Sequence, residues 1–224
     1  RHLMGKGVYG RLKSTIPPIT VPAWTCMLTG KDPGEIGFYG FRNRRPGSYD
    51  LYIPNASHLR EKAVYEILSD RGKTVVLIGV PQTYPPRKVR GIVVSSFLSP
   101  GKGPDFTYPP GIVREIDSIA DGDYMVDVRE FRTADKDQLL DQIYTMTERR
   151  FKVVKKFIRT EPWDFFMFVE IGVDRIHHGF WRFFDSKHRL YVRGNSYENA
   201  ISDYYKYIDG QIGELVEDLP ADVS

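Results

Sequence analysis

Two short stretches of this 224-residue chain carry residue types that could do chemistry. The first runs Ser14-Thr15-Ile16-Pro17-Pro18-Ile19-Thr20-Val21-Pro22-Ala23-Trp24-Thr25-Cys26-Met27-Leu28-Thr29-Gly30. Pro17 and Pro18 hold the approach extended, because the residue before a proline is pushed out of helical geometry. Thr20 is expected at an N-cap, with Pro22 in the first turn, where a missing N–H costs nothing. A helix over 23–29 follows, with Gly30 as its stop. A hydroxyl at Thr20 would face free backbone N–H groups at the positive end of a helix dipole, a place that attracts phosphate or sulfate. An ordinary capping threonine satisfies the same pattern.

The second stretch is Val173-Asp174-Arg175-Ile176-His177-His178, directly after the apolar run Phe165-Phe166-Met167-Phe168-Val169-Glu170-Ile171-Gly172. Open α/β sheets bind ligands outside the carboxyl ends of their strands, which is where this stretch would leave the sheet. Asp174 and His178 stand four apart, so a helical turn projects them the same way. A carboxylate beside an imidazole suits zinc or manganese. An Asp in a first turn with a His behind it is also plain helix-end chemistry, so both readings stand on spacing alone. His177 falls outside that register and is expected to be structural or supporting. His188, His58 and His2 are expected at the surface.

The elements that must position these residues alternate along the chain. Ser57 is expected to cap a helix over 58–70 that Gly72 closes. Residues 73–80 form a continuous apolar run, the signature of a strand buried on both faces of a parallel sheet. Less regular strands are expected at 92–97 and 124–128, with a loop over 99–111 and a short helix over 112–119. A long helix follows over 136–159. Residues 164–171 read as the most apolar strand, and 197–219 as a helix. Strands separated by helices imply crossovers and a mostly parallel sheet covered on both faces, a three-layer α/β/α sandwich. Neither a dinucleotide-binding glycine turn nor a Walker loop is present. Both ends read as cut, at 1–7 in the last turn of a helix and at 221–224 in the approach to a strand. The expected unit is therefore one α/β domain over 1–224, an internal fragment of a longer protein.

Apolar content of 41% and charged content of 27% fit a globular protein. A net charge of +3 is too small to argue for a nucleic-acid polymer as partner. No run approaches the ~18 apolar residues of a membrane span, and the first residues do not form a signal peptide. The single cysteine, Cys26, rules out an intrachain disulfide and suits a reducing cytoplasm. Its place inside a helix suits packing. Asn and Gln number only eight, against abundant Lys, Arg and Glu, which points to a thermophilic source.

The pattern Thr20-x-Pro-x-x-Thr-x-x-x-Thr-Gly, followed by Asp32-Pro33-Gly34-x-x-Gly37, resembles the nucleophile segment of the type I phosphodiesterase/nucleotide pyrophosphatase family of the alkaline phosphatase superfamily. Asp174 through Trp181, as Asp-Arg-Ile-x-His-x-x-Trp, resembles the metal-binding segment of its prokaryotic phosphohydrolase/phosphomutase branch. The resemblance implies an alkaline-phosphatase-like sandwich with two divalent ions, zinc first and manganese second. It implies that Thr20 attacks phosphorus, that Asp174 and His178 bind one metal, and that an upstream Asp and a downstream Asp-His-Gly complete the centre. One departure is Phe41, where eukaryotic-type members carry an Asn that helps hold the phosphoryl oxygen. Arg42 and Asn43 are the neighbouring candidates for substrate contact. The group Arg42, Arg44 and Arg45 suits a phosphate clamp and a solvated basic loop equally.

Three functions follow from these residues. The first is a metal-dependent phosphohydrolase acting on small phosphodiesters, nucleotides or phosphomonoesters through a phospho-threonine. The second is a phosphomutase, against which Thr20 counts because such enzymes usually use Ser. The third is a non-catalytic, metal-poor fragment. Sulfatase chemistry is disfavoured, since Thr20-x-Pro22 offers neither the convertible Cys or Ser nor the Arg of that motif.

Overall fold

The computed structural model describes residues 2–217, 219 and 223. Helix α1 spans His2–Lys6, α2 spans Thr20–Thr29 and the short α3 spans Pro33–Ile36. Strands β1, Asn43–Arg44, and β2, Leu51–Tyr52, pair as a two-stranded antiparallel ribbon. Helix α4, Val64–Asp70, leads into β3, Val75–Ile78, then β4, Gly91–Val94, and β5, Thr107–Tyr108. Helices α5, Ile112–Ile119, and α6, Lys136–Thr160, precede β6, Phe165–Phe168. Helices α7, Gly172–Phe184, and α8, Ala200–Glu217, complete the order.

The main sheet runs β5-β4-β3-β6. β3 pairs in parallel with both β4 and β6, and only β5 runs antiparallel. All four residues of β3 are buried, as a central strand requires. Period-2 alternation then divides the core. Val75, Leu77 and Val93 face Leu28, Tyr65 and Trp24, which come from α2 and α4. Val76, Ile78, Ile92 and Val94 face the larger cluster of α5 to α8, including Ile143, Val154, Phe157, Ile176 and Tyr204. The expected three layers are present, with a mostly parallel sheet in the middle. Gly91 admits the β3–β4 pairing, because its φ is +128° and a Cβ there would lie 2.0 Å from the Val75 carbonyl oxygen.

Several expected elements differ. Residues 124–128 form no strand. The side chains of Tyr124 and Val128 are buried beside α6, while the carbonyls of Met125 and Val126 accept from Arg150 Nη2 at 3.3 and 3.1 Å. The expected loop over 99–111 contains β5. The helix expected over 58–70 is broken. A 3-10 turn at Ala56–His58 is capped by Asn55, whose Oδ1 accepts from the Ser57 N–H, and α4 begins only at Val64. The reason is Arg87. Its guanidinium takes the carbonyls of Ala56, Leu59 and Glu61 and pairs with Glu66 at 2.8 Å, which holds residues 56–61 in a turn and loop ahead of α4. β6 is shorter than the expected 164–171 and half-buried, because it stands at the edge of the sheet. The expected strand approach over 221–224 lies outside the described residues except for Val223, and Arg1 lies outside them as well.

Candidate active site at the carboxyl rim of the sheet

Thr20 opens α2 as its first helical residue. The N-cap position belongs to Ile19, with extended angles of −117° and 146°, and no side chain caps the helix. This corrects the expectation that Thr20 is the cap and that helix begins at 23. Pro22, which needs no N–H partner in a first turn, lets the helix begin earlier. Gly30 closes it in the left-handed region, its N–H donating to the Cys26 carbonyl at 2.8 Å. Thr25 and Thr29 spend their hydroxyls on the carbonyls four residues back. The half-buried Thr20 hydroxyl has no hydrogen-bond partner among the described residues. The first N–H groups of α2 likewise have no carbonyl four residues back within the helix.

Asp174 lies in the first turn of α7, where the helix dipole favours its charge. Its Oδ1 is 3.5 Å from His178 Nε2, so the i, i+4 pair meets on one face as the spacing predicts. Both side chains are exposed, at 50% and 57%. Asp174 Oδ2 accepts from Arg175 Nη1, and Arg175 is bound in turn to both oxygens of Asp127. The buried Arg175 guanidinium is 4.9 Å from each of the rings of Phe97 and Phe131, while Phe131 also packs against His178 at 5.5 Å. His177 points the other way, its Nε2 lying 3.2 Å from Tyr205 Oη of α8.

The rim relates the two stretches. Val21 clusters with Phe38, Leu59 and Leu98, and Leu98 follows the end of β4 by four residues. The start of α2 therefore lies by the carboxyl end of β4, and the start of α7 by that of β6. Since β3 separates β4 from β6, the two strand ends are about 10 Å apart. Asp174 and His178 touch each other, whereas no hydrogen bond joins either to Thr20. Gln82 follows the end of β3 between them. It is 5% exposed, has φ of +66°, and its Oε1 is buried without a partner.

The model of one protein family, type I phosphodiesterase / nucleotide pyrophosphatase, matches residues 1–223. The chain belongs to that family. No curated protein and no solved structure gives a significant match. The α/β architecture with its mostly parallel sheet is consistent with the alkaline-phosphatase-like fold of such phosphodiesterases. No described helix is long and apolar enough to cross a membrane.

For a phosphodiesterase of this family, the donor set fits a divalent ion only in part. Asp174 and His178 supply one carboxylate and one imidazole, two of the roughly four ligands zinc takes. Among the described residues, no three His, Cys, Asp or Glu side chains converge. Asn43 is buried, and its amide is engaged by the backbone. Oδ1 accepts from the Tyr39 N–H at 3.1 Å, and Nδ2 donates to the Gly37 carbonyl at 2.8 Å. Arg42 is exposed, while Arg44 and Arg45 sit 5.5 Å from the rings of Tyr49 and Tyr52. Burial, and then the charge of Asp32, pushes the Cys26 thiol up, which disfavours its thiolate.

Sequence reading missed the support beneath this rim. The β6–α7 turn is held by Glu170, whose Oε1 accepts from the Gly172 N–H at 2.7 Å and from Thr147 Oγ1 at 3.2 Å. Thr147 meets Tyr204 Oη at 2.7 Å, and Arg150 Nη1 donates to the Val169 carbonyl at 2.7 Å. A signal was available for Arg150. It interrupts the apolar stripe of α6 at helical spacing from Ile143, Met146 and Val154, and it is 2% exposed. A buried arginine in a core stripe implies acceptors waiting for it.

Proposed function

We propose that this chain is a metal-dependent phosphohydrolase for small phosphodiesters, nucleotides or phosphomonoesters, with Thr20 as its nucleophile. The observation that carries the reading is the unpartnered Thr20 hydroxyl at the start of α2, on the same strand-end rim as the Asp174–His178 pair. The Thr20 Oγ attacks phosphorus in line, and the bond from phosphorus to the leaving oxygen breaks. That oxygen departs with the proton that Thr20 gives up. Water then cleaves the phospho-threonine and restores the hydroxyl. The free N–H groups of Thr20 and Val21 hold equatorial oxygens at the positive helix end.

Asp174 and His178 would hold one edge of a divalent ion, zinc first and manganese second. When bound, such an ion supplies Lewis-acid charge beside the phosphate. Arg175 and Asp127 fix the direction of Asp174. Arg42 is the loop side chain free to meet substrate, and Asn43 serves by shaping the loop that carries it. Cytoplasmic residence is the reading that a lone cysteine supports.

Hydrolysis of bis(p-nitrophenyl) phosphate and p-nitrophenyl phosphate with added zinc or manganese tests this function. Turnover should be lost in Thr20→Ala, and mass spectrometry of quenched wild-type protein should find phosphate on Thr20. Phosphate trapped on another residue, or full turnover by Thr20→Ala, would falsify the assignment.

A further inference from the structure

Beside His178 lies a cleft of about 470 Å³ whose walls carry an unbalanced positive charge. Arg132, Lys136, His178, Trp181, Arg182 and His188 contribute to it, and among the described residues no carboxylate lines it. Among the described residues, Arg132, Lys136 and Arg182 form no ion pair. They rest on aromatic faces instead. Arg132 lies 5.1 Å from the Phe131 ring, Lys136 5.9 Å from that of Phe180 and Arg182 4.4 Å from that of Phe183. Ring faces hold cations but do not neutralise them. His188 Nδ1 accepts from the Leu190 N–H at 3.1 Å, which leaves Nε2 carrying the proton, as a donor.

Asp174 meets His178 at 3.5 Å, and the other nearby acids hydrogen-bond elsewhere. Asp135 accepts from the Gln138 N–H, Asp137 from Tyr197 Oη and Asp185 from the Lys187 N–H. Among the described residues none of these carboxylates forms an ion pair with the three cations, and Lys136 and Arg182 repel one another. Burial and the charge of Arg182 together hold the Lys136 ammonium below its usual range. Such an arrangement is relieved by an anion, and the cleft is of the size that takes a small molecule. It begins at His178, so it continues the Asp174 side of the rim.

We propose that this cleft is a subsite for a second anionic group on the substrate, a phosphate or carboxylate remote from the phosphorus under attack. The subsite rests on the phosphohydrolase reading for its role in turnover, but not for its affinity for anions. It would select phosphoesters that carry two anionic groups over those that carry one.

Two measurements test it. Inorganic phosphate is titrated into metal-free protein and followed by amide and indole NMR signals. The Trp181 indole and Arg182 amide should shift and saturate, in Thr20→Ala as in wild type. The Lys136→Gln/Arg182→Gln double variant should lose that saturation, and Arg182→Lys should recover part of it. Thermal melts check that each variant is folded. In the second measurement, propane-1,3-diol bisphosphate is compared with 3-hydroxypropyl phosphate as substrate. The ratio of their kcat/KM values should favour the bisphosphate, and should fall about ten-fold in the double variant, the size of one lost charge-assisted contact.

No phosphate shift at Trp181 and Arg182, or an equal shift in the folded double variant, would overturn the subsite. So would an active wild type that shows no preference between the two esters. A wild type inactive on every ester sinks the hydrolase reading alone, and the phosphate titration then decides the subsite.

Discussion

Arg175 reaches back 48 residues to grip Asp127 with two donors, Nε at 2.7 Å from Oδ1 and Nη2 on Oδ2. The third arm of the same guanidinium holds Asp174. The direction of one proposed metal ligand is thereby set by a segment that precedes α6.

Replacing Arg175 by Lys keeps the charge but loses the planar fork. Stability should fall by about 1–3 kcal/mol, because the remaining partners are partly buried. Zinc affinity should fall about ten-fold or more, as for other groups that orient a ligand from behind. Chemical denaturation and calorimetric zinc titration read the two effects. Unchanged zinc binding in a destabilised variant would show that Arg175 serves the fold alone.

Thr20→Ala should abolish turnover by several orders of magnitude, and Thr20→Ser should keep a part of it. Because Thr20 makes no cap bond, its removal should cost less than the ~1 kcal/mol typical of a lost N-cap. Steady-state rates and melting curves check both statements. A loss of several kcal/mol would mean that the hydroxyl has an internal partner.

Asp174→Asn and His178→Ala should each weaken zinc binding while leaving the melting temperature of the metal-free protein nearly unchanged. Both side chains are at least half exposed, and surface changes of this kind cost little. Equal zinc affinity in wild type and both variants would remove this pair from the metal site.

Gly172→Ala probes the turn that launches α7. A Cβ there would lie 1.9 Å from Tyr204 Oη and 2.8 Å from Glu170 Oε1, so the buried network must shift. A loss of about 1–3 kcal/mol is expected from overpacking. The Asp174 backbone amide should move in NMR spectra along with it. A neutral substitution would show that Tyr204 yields freely.

Alkaline pH should destabilise the fold through Tyr204. Burial, and then the charge of Glu170, raises its phenol above the ordinary value of 10.0. A raised folded-state pKa gives stability that is complete below the unfolded value and is lost as pH rises past it. The urea midpoint should fall above about pH 10, with a slope lower by about one proton in Tyr204→Phe. Identical slopes would assign the loss to other groups.

How much of this was legible depended on whether the signal was local. The β3 run, the α5 helix and the i, i+4 meeting of Asp174 with His178 are local facts, and the chain states them in order. Residues 124–128 misled because their apolar residues imitate a strand, while the partner that claims their carbonyls, Arg150, is 24 or 25 residues away. The break before α4 was hidden for the same reason, since Arg87 lies 21 residues beyond Glu66. At the rim, spacing told that Asp174 and His178 would meet, whereas the roles proposed for them and for Thr20 came from the resemblance. The basic cleft was not legible, because Arg132 and Lys136 join Arg182 and His188 only after α6 folds against α7.

The two halves of the candidate site belong to different layers, α2 on one face of the sheet and α7 on the other. A phosphate ester seated on both would act as a clasp across the edge of the sandwich. Its binding free energy would enter the opening equilibria of both layers at once, through ordinary linkage. Amide exchange in α2 and in α7 would then slow by the same factor on saturation, although the two helices share no hydrophobic cluster. Ligand occupancy would convert two separately fraying layers into one cooperative unit.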